Sequence, residues 1–212
     1  MFDELPQRTL SAYNYMVAGY LNQGLVAESI NLVHRLILDG ERPDGYTYSM
    51  ILKASTSGGN VILPPNSAGV VHAQIVKSYV EPDDVLSTAL VDAYVKSGRV
   101  GLLENAEEIF EKTVEKDVVV FNAMIEGYSK SLETALKALD VYVEMQRFGF
   151  RPNLSTFASV TGACSLLAGF EIAQQVQAQL LKSGFYTDIK MGSALIDMYS
   201  KCGRIEDARR VF

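Results

Sequence analysis

Apolar residues fall along the chain at i, i+3, i+4 and i+7: Tyr13, Met16, Val17 and Tyr20, then Phe121, Met124, Ile125 and Tyr128. Shorter matches occur at Leu90, Val91, Tyr94 and at Leu195, Ile196, Tyr199. This period puts the apolar positions on one face of a helix and predicts that the face is buried. A glycine commonly follows (Gly24, Gly98, Gly203), where a residue tolerant of positive φ can end a helix and turn the chain. A second amphipathic stretch comes next, such as Ala27, Ile30, Val33, Ile37 or Ala106, Ile109, Phe110. It stops at a Pro, Gly or Asp signal: ERPD, EKD or FRPN. No stretch alternates with strand period for long, so the pattern predicts an all-α chain of repeated helix, turn and helix.

The pattern is also self-similar. STALVDAYVKSGR, residues 87–99, lies over GSALIDMYSKCGR, residues 192–204, with seven identities in thirteen positions. HAQIVKS from His72 aligns with QAQLLKS from Gln177, and AYNYMVAGY from Ala12 with VFNAMIEGY from Val120. Boundaries set after each terminal Asp or Asn give units 10–44, 45–83, 84–117, 118–153 and 154–188, an incomplete unit 189–212, and a tail 1–9 of a preceding unit. One pair of helices of this length cannot bury its apolar stripe alone. Such units are expected to stack into a solenoid, with first helices along one surface and second helices along the other.

Composition narrows the classes. The 212 residues are 48% hydrophobic and 21% charged, as in a globular chain, and no run approaches the ~18 apolar residues of a membrane span. No membrane association is expected. The acidic start MFDELPQRT has no signal or transit character, so a targeting signal is expected outside this sequence. Cys164 and Cys202 are too few and too far apart for a disulfide framework or a zinc pair, and read as small buried apolar residues in a reducing compartment. The formal charge of −6 counts against nucleic-acid binding as a bulk property, because affinity for phosphates scales with Lys and Arg.

These repeats resemble the pentatricopeptide repeat family, in its plant subclass with alternating P, L and S units, over the whole chain. AYNYMVAGYLNQG...GERPD and VVVFNAMIEGYSK...GFRPN match the P pattern. TYSMILKAS...VVHAQIVKSYVEPD and TFASVTGACSLLAGFEIAQQVQAQLLKSGFYTD match the L pattern; STALVDAYVKSGR...AEEIF and GSALIDMYSKCGRIEDARRVF match the S pattern. The units then run P (10–44), L (45–83), S (84–117), P (118–153), L (154–188) and incomplete S (189–212), after the tail of an S unit. Three departures stand out: an insertion around NVILPPNSA with Pro64 and Pro65, extra residues in RVGLLEN, and SKSLET in place of a turn glycine.

The resemblance implies a right-handed α-solenoid that binds single-stranded RNA, one base per repeat, as part of an organellar RNA-editing or RNA-processing specificity factor. By the same resemblance the protein works in a chloroplast or mitochondrion, with editing-complex proteins as further partners and no cofactor. Base-reading falls on the fifth and last residues of each unit: Asn14 with Asp44 for U, Thr88 with Asp117 for G, and Asn122 with Asn153 for C or U. The L units fit less well, with Ser49 and Asp83 marginal and Ala158 beside Asp188 lacking a polar group; Ser193 implies a purine. An isolated Asn or Thr near a helix start ordinarily caps the helix, and recurrence at matched positions is what favours reading. Tyr46, Val85 and Val119, second in their units, would flank bases. Lys96, Lys130 and Lys201 recur at one position near the end of the first helix, either as phosphate contacts or as solvated lysines at a helix C-terminus. As a phosphate-facing stripe they would offset the net charge, with the carboxylates Glu107, Glu108, Glu206 and Asp207 on the second helices.

Members of this subclass often carry a zinc deaminase with HxE and CxxC motifs. Here His34 precedes Arg35 and Leu36, His72 precedes Ala73 and Gln74, and CxxC is absent, so no metal site and no enzyme activity are expected. The competing reading is a protein-binding scaffold like the tetratricopeptide arrays, which the acidic balance favours. One further expectation concerns the ends. Phe2 and Phe212 occupy equivalent points of an S unit, so apolar faces at the two ends (Leu195, Ile196, Val211 and Phe212; Phe2, Leu5, Met16 and Val17) would let molecules associate end to end.

Overall fold

A computed structural model of the chain describes residues 8–56, 67–97 and 100–211. Pro64 and Pro65 of the expected insertion, Gly98, Phe2, Leu5 and Phe212 lie outside these residues. Among the described residues there is no strand; the secondary structure is α-helical.

The chain divides into two compact units, Met1–Glu115 and Lys116–Phe212. In the first, α1 (Leu10–Asn22), α3 (Gly45–Thr56) and α5 (Asp84–Lys96) pack one on the next, and α2 (Val26–Leu38), α4 (Ser67–Lys77) and α6 (Val100–Lys112) each pair with the helix before them. In the second, α7 (Val118–Tyr128), α9 (Leu154–Leu167) and α11 (Ile189–Lys201) adjoin in the same way. They are paired with α8 (Ala135–Arg147), α10 (Phe170–Ser183) and α12 (Ile205–Arg209). Each unit is a stack of helix–turn–helix pairs of the α-solenoid class.

The predicted apolar stripes form the cores. Tyr13 and Val17 of α1 close over Leu32, Val33 and Leu36 of α2 and Met50 of α3. In the second unit Phe121, Met124 and Ile125 of α7, Met145 of α8 and Phe157 of α9 are fully buried.

The first helix of every pair starts on a polar cap. Thr9, Asp83, Asp117, Asn153 and Asp188 accept backbone N–H groups at the starts of α1, α5, α7, α9 and α11. Asp44 does so for α3, taking the Thr47 N–H at 2.8 Å. The short side chain satisfies an orphan donor of the first turn, and the preceding Pro in ERPD or FRPN keeps the earlier helix from running on. Gly24 and Gly203 turn the chain at φ 73° and 70°, as the sequence predicts. The SKSLET stretch manages without glycine: Thr134 Oγ1 donates to the carbonyls of Tyr128 (2.7 Å) and Ser131 (3.3 Å), which holds the turn into α8.

Tyrosines of first helices tie the pairs together through their hydroxyls. Tyr94 Oη lies 2.8 Å from His72 Nδ1, and at the matching place in the second unit Tyr199 donates to Gln177 Oε1. His72 is thus a half-buried helix residue whose desolvation lowers its pKa, against the opposing pull of Glu108. Cys164 is buried, with its thiol pushed up to about 12 by desolvation, whereas Cys202 is only partly buried.

Candidate functional site

The fifth residue of a unit sits about one turn into its first helix, and the last residue is the cap of the next first helix. Stacking of first helices therefore brings the two side chains together within a unit of the structure. Asn14 of α1 donates through Nδ2 to Asp44 Oδ1 at 3.3 Å. The same oxygen takes the backbone N–H of Thr47 at 2.8 Å and is 2.7 Å from the Thr47 hydroxyl. That hydroxyl lies 2.8 Å from Asn14 Oδ1 and closes the triangle. Burial alone would raise the Asp44 carboxyl, but the hydrogen bonds from Thr47 and Asn14 outweigh it and hold the pKa below the ordinary carboxylate value.

An equivalent centre stands in the second unit. Asn122 Nδ2 donates to Asn153 Oδ1 at 3.4 Å, and Thr156 Oγ1 donates to Asn122 Oδ1 at 2.6 Å. Asn153 Oδ1 accepts the Thr156 backbone N–H at 3.0 Å while the Asn153 N–H reaches Thr156 Oγ1 at 3.0 Å, a reciprocal capping box.

In both centres the protein's donors converge on one oxygen of the last residue. The remaining valence differs: a carboxylate Oδ2, an acceptor, at Asp44, and an NH2, a donor, at Asn153.

The other candidate positions are less alike. Thr88 is half-buried in α5 of the first unit, and Asp117 is an exposed cap of α7 in the second, taking the Val120 N–H at 2.8 Å. Asp83 is likewise a cap, for Leu86. Ser49 departs from expectation: it is 1% exposed and its hydroxyl donates to the Tyr46 carbonyl at 2.9 Å, so it offers no free proton. Ser193 is exposed, with its hydroxyl turned back to the Ile189 carbonyl at 3.0 Å.

Tyr46 and Val85 are each 55% exposed and Val119 is 57% exposed, high values for apolar side chains. Tyr46 and Val85 line a cleft of about 350 Å³ on α1, α3 and α5, together with the apolar Leu21 and Met50 and the polar Asn22, Ser49 and Lys53.

The three recurring lysines are not a bare basic stripe. Lys96 pairs with Asp92 (2.9 Å), Lys130, in the turn after α7, with Glu126 (3.2 Å) and Lys201 with Asp197 (2.8 Å), each partner four residues earlier in the chain. Carboxylates thus sit on the first helices as well as the second, and the expectation of a stripe kept apart from acidic groups is corrected accordingly.

Sequence reasoning missed Thr47 and Thr156. Their signal was present as Asp/Asn-x-x-Thr at a helix start, a variant of the capping box. Among the described residues no group of three or more His, Cys, Asp or Glu is placed to hold a metal ion, and no helix is long and apolar enough to cross a membrane.

Comparison with known proteins gives a consistent set of likenesses. A PPR repeat model matches residues 11–41 and 193–212, and a PPR repeat family model matches residues 116–165. A mitochondrial pentatricopeptide repeat-containing protein of Arabidopsis thaliana is 55% identical, over 100% of this chain and 46% of its own length. A chloroplastic one from the same plant is 33% identical, over 100% of this chain and 25% of its own. The chain therefore spans half or less of the length of these relatives. Among solved structures, the pentatricopeptide repeat protein PPR10 in complex with an 18-nt psaJ RNA element superposes with a TM-score of 0.75 at 26% identity. That match covers 97% of this chain and 29% of PPR10. Nuclear proteinaceous RNase P 2 of A. thaliana, with a TM-score of 0.64 at 12% identity over 82% of this chain and 38% of its own, shares the fold.

Proposed function

Because this chain belongs to the pentatricopeptide repeat family, we propose that it binds single-stranded RNA with one base per helix pair, as the specificity-giving part of an organellar RNA-editing or RNA-processing factor. The observation that carries the proposal is the twice-built centre of an Asn, a capping Asp or Asn, and a Thr. The solved complex of PPR10 with RNA supports it from outside. Mitochondrial and chloroplastic relatives support the organellar setting, and the order of unit types supports the P-L-S subclass. Any deamination of the bound RNA would come from another domain or from editing-complex proteins.

The chemistry follows from what each centre has left over. Asp44 can offer only an acceptor, which suits a base whose Watson–Crick edge carries an imino N–H, such as uracil. Asn153 can offer NH2, which suits the bare ring nitrogen of cytosine. Asn14 and Asn122 supply the second hydrogen bond that makes the contact bidentate. Tyr46, Val85 and Val119 give bases an apolar surface to stack on, which is worth ~1–3 kcal/mol per base. Lys96, Lys130 and Lys201 exchange their carboxylates for phosphates. An exposed i,i+4 pair contributes only ~0.3–0.5 kcal/mol, so the exchange costs little.

Selection from random RNA tests the reading. Enrichment should show U at the register of Asn14 and Asp44, and Asp44→Asn should move that register toward C by about tenfold, because an acceptor is replaced by a donor while the capping oxygen is kept. An unchanged base preference in a variant that melts like the parent would refute the role of Asp44.

The acidic balance, with three lysines already paired, favours a protein-binding scaffold as the second reading. That reading expects no enrichment of RNA sequence at all.

A further inference from the structure

Each Asn-centred pair holds a third side chain that the two-residue reading leaves without a task. Thr47 is the third residue of α3 and Thr156 the third of α9, and their hydroxyls reach back to the Asn of the preceding helix pair. A carboxamide has two orientations related by a half-turn about its last bond, and the half-turn exchanges donor for acceptor along the edge that a ligand meets. The surroundings select one of them. Asn153 Oδ1 is committed to the Thr156 backbone N–H as a helix cap, so Asn122 must aim Nδ2 at that oxygen and Oδ1 at the Thr156 hydroxyl. The flipped amide would set oxygen against oxygen. Asp44 and Thr47 impose the same orientation on Asn14.

The sequence carries an independent trace of this arrangement. Thr stands third in the helix after Asn14 and after Asn122. Where the preceding fifth residue has no amide to flip (Ser49, Thr88, Ala158), the third residue of the next first helix is apolar: Leu86, Val120 and Met191. The hydroxyl thus accompanies the amide and not the cap, since Asp83, Asp117 and Asp188 cap their helices without it.

We propose that Thr47 and Thr156 are positioning residues that hold the Asn14 and Asn122 amides in a single orientation, and so sharpen the choice between pyrimidines that Asp44 and Asn153 make at those two registers. The inference rests on the base-reading function proposed above.

The test uses the chain itself and short single-stranded RNAs that differ in one base, U or C, at the register where Asn122→Ala abolishes preference. Thr156→Val keeps the shape and removes the hydroxyl, and is expected to lower the ratio of the two dissociation constants by about five- to tenfold, toward parity. Thr156→Ser, which restores the hydroxyl, should keep the parental ratio. A purely structural Thr would shift melting temperature and affinity for both RNAs together and leave the ratio alone. Thr47→Val repeats the measurement in the other unit, so that the outcome does not hang on the folding of one variant.

A folded Val variant at either site with the parental ratio, where the Asn→Ala variant has lost it, would overturn the role of the threonines and leave base reading intact. If Asn122→Ala and Asn14→Ala change no register, base reading by these pairs fails and the threonine role falls with it.

Discussion

At the scale of the single residue, the least settled side chain is Thr161. It is 1% exposed in α9, and among the described residues its hydroxyl is the buried side-chain group left without a hydrogen-bond partner. The matching place in the first unit, eighth in its helix, holds the fully buried Leu52. A hydroxyl removed from water with nothing in exchange costs ~1–3 kcal/mol, so Thr161→Val, equal in shape, should stabilise the second unit by about 1 kcal/mol. Chemical denaturation reads this directly as a higher midpoint at unchanged slope; a lower midpoint would mean that the hydroxyl has a partner after all. The proposed reading residues Asn14, Asp44, Asn122 and Asn153 were legible through the family resemblance, which points to the fifth and last residues of each repeat. The link of Thr47 and Thr156 to those Asn side chains was not legible from their capping pattern alone, since the partners lie 33 and 34 residues away and meet only once the first helices are packed. Nor was the closure of Ser49 on a backbone carbonyl, which leaves no mark in residue type.

At the scale of the element, helix starts were the most legible feature and helix ends the least. Every first helix begins directly behind a Thr, Asp or Asn, because a short polar acceptor at that point has one physical use that dominates the others. Ends are set by whichever residue can leave the right-handed region. Gly184 does so after α10 at φ 78°, but the matching place after α4 is Tyr79, forced to φ 53° while 95% exposed. Left-handed backbone costs a residue with a Cβ roughly 1 kcal/mol, and Tyr79 recovers none of that by burial. Tyr79→Gly should therefore raise the stability of the first unit by about 1 kcal/mol, visible as a higher melting temperature. An equal or lower value would show that the Tyr ring contributes something to the folded state that offsets the strain.

At the scale of the whole molecule, the charge of −6 sets a repulsive background for any polyanion, and the recurring lysines enter it already matched to carboxylates. Bound phosphates would displace those partners, and each lysine so engaged would release about one condensed counterion from the nucleic acid. With three such lysines the logarithm of the RNA association constant should fall against the logarithm of salt with a slope near −2, from about −0.7 per contact on a single strand. A slope near zero would favour the protein-scaffold reading, and one far steeper would locate the phosphate contacts elsewhere. The same molecule reuses one atom for two purposes: the Oδ1 that starts α3 or α9 also anchors the Asn of the pair before it. The alphabet open to that position is consequently the alphabet of helix caps. A hydrophobic or basic residue there would forfeit a cap worth ~1 kcal/mol as well as the contact. Asp and Asn are the two letters that keep the inner oxygen and invert the outer group from acceptor to donor, so under the proposed base reading such an array would change its message without touching its grammar.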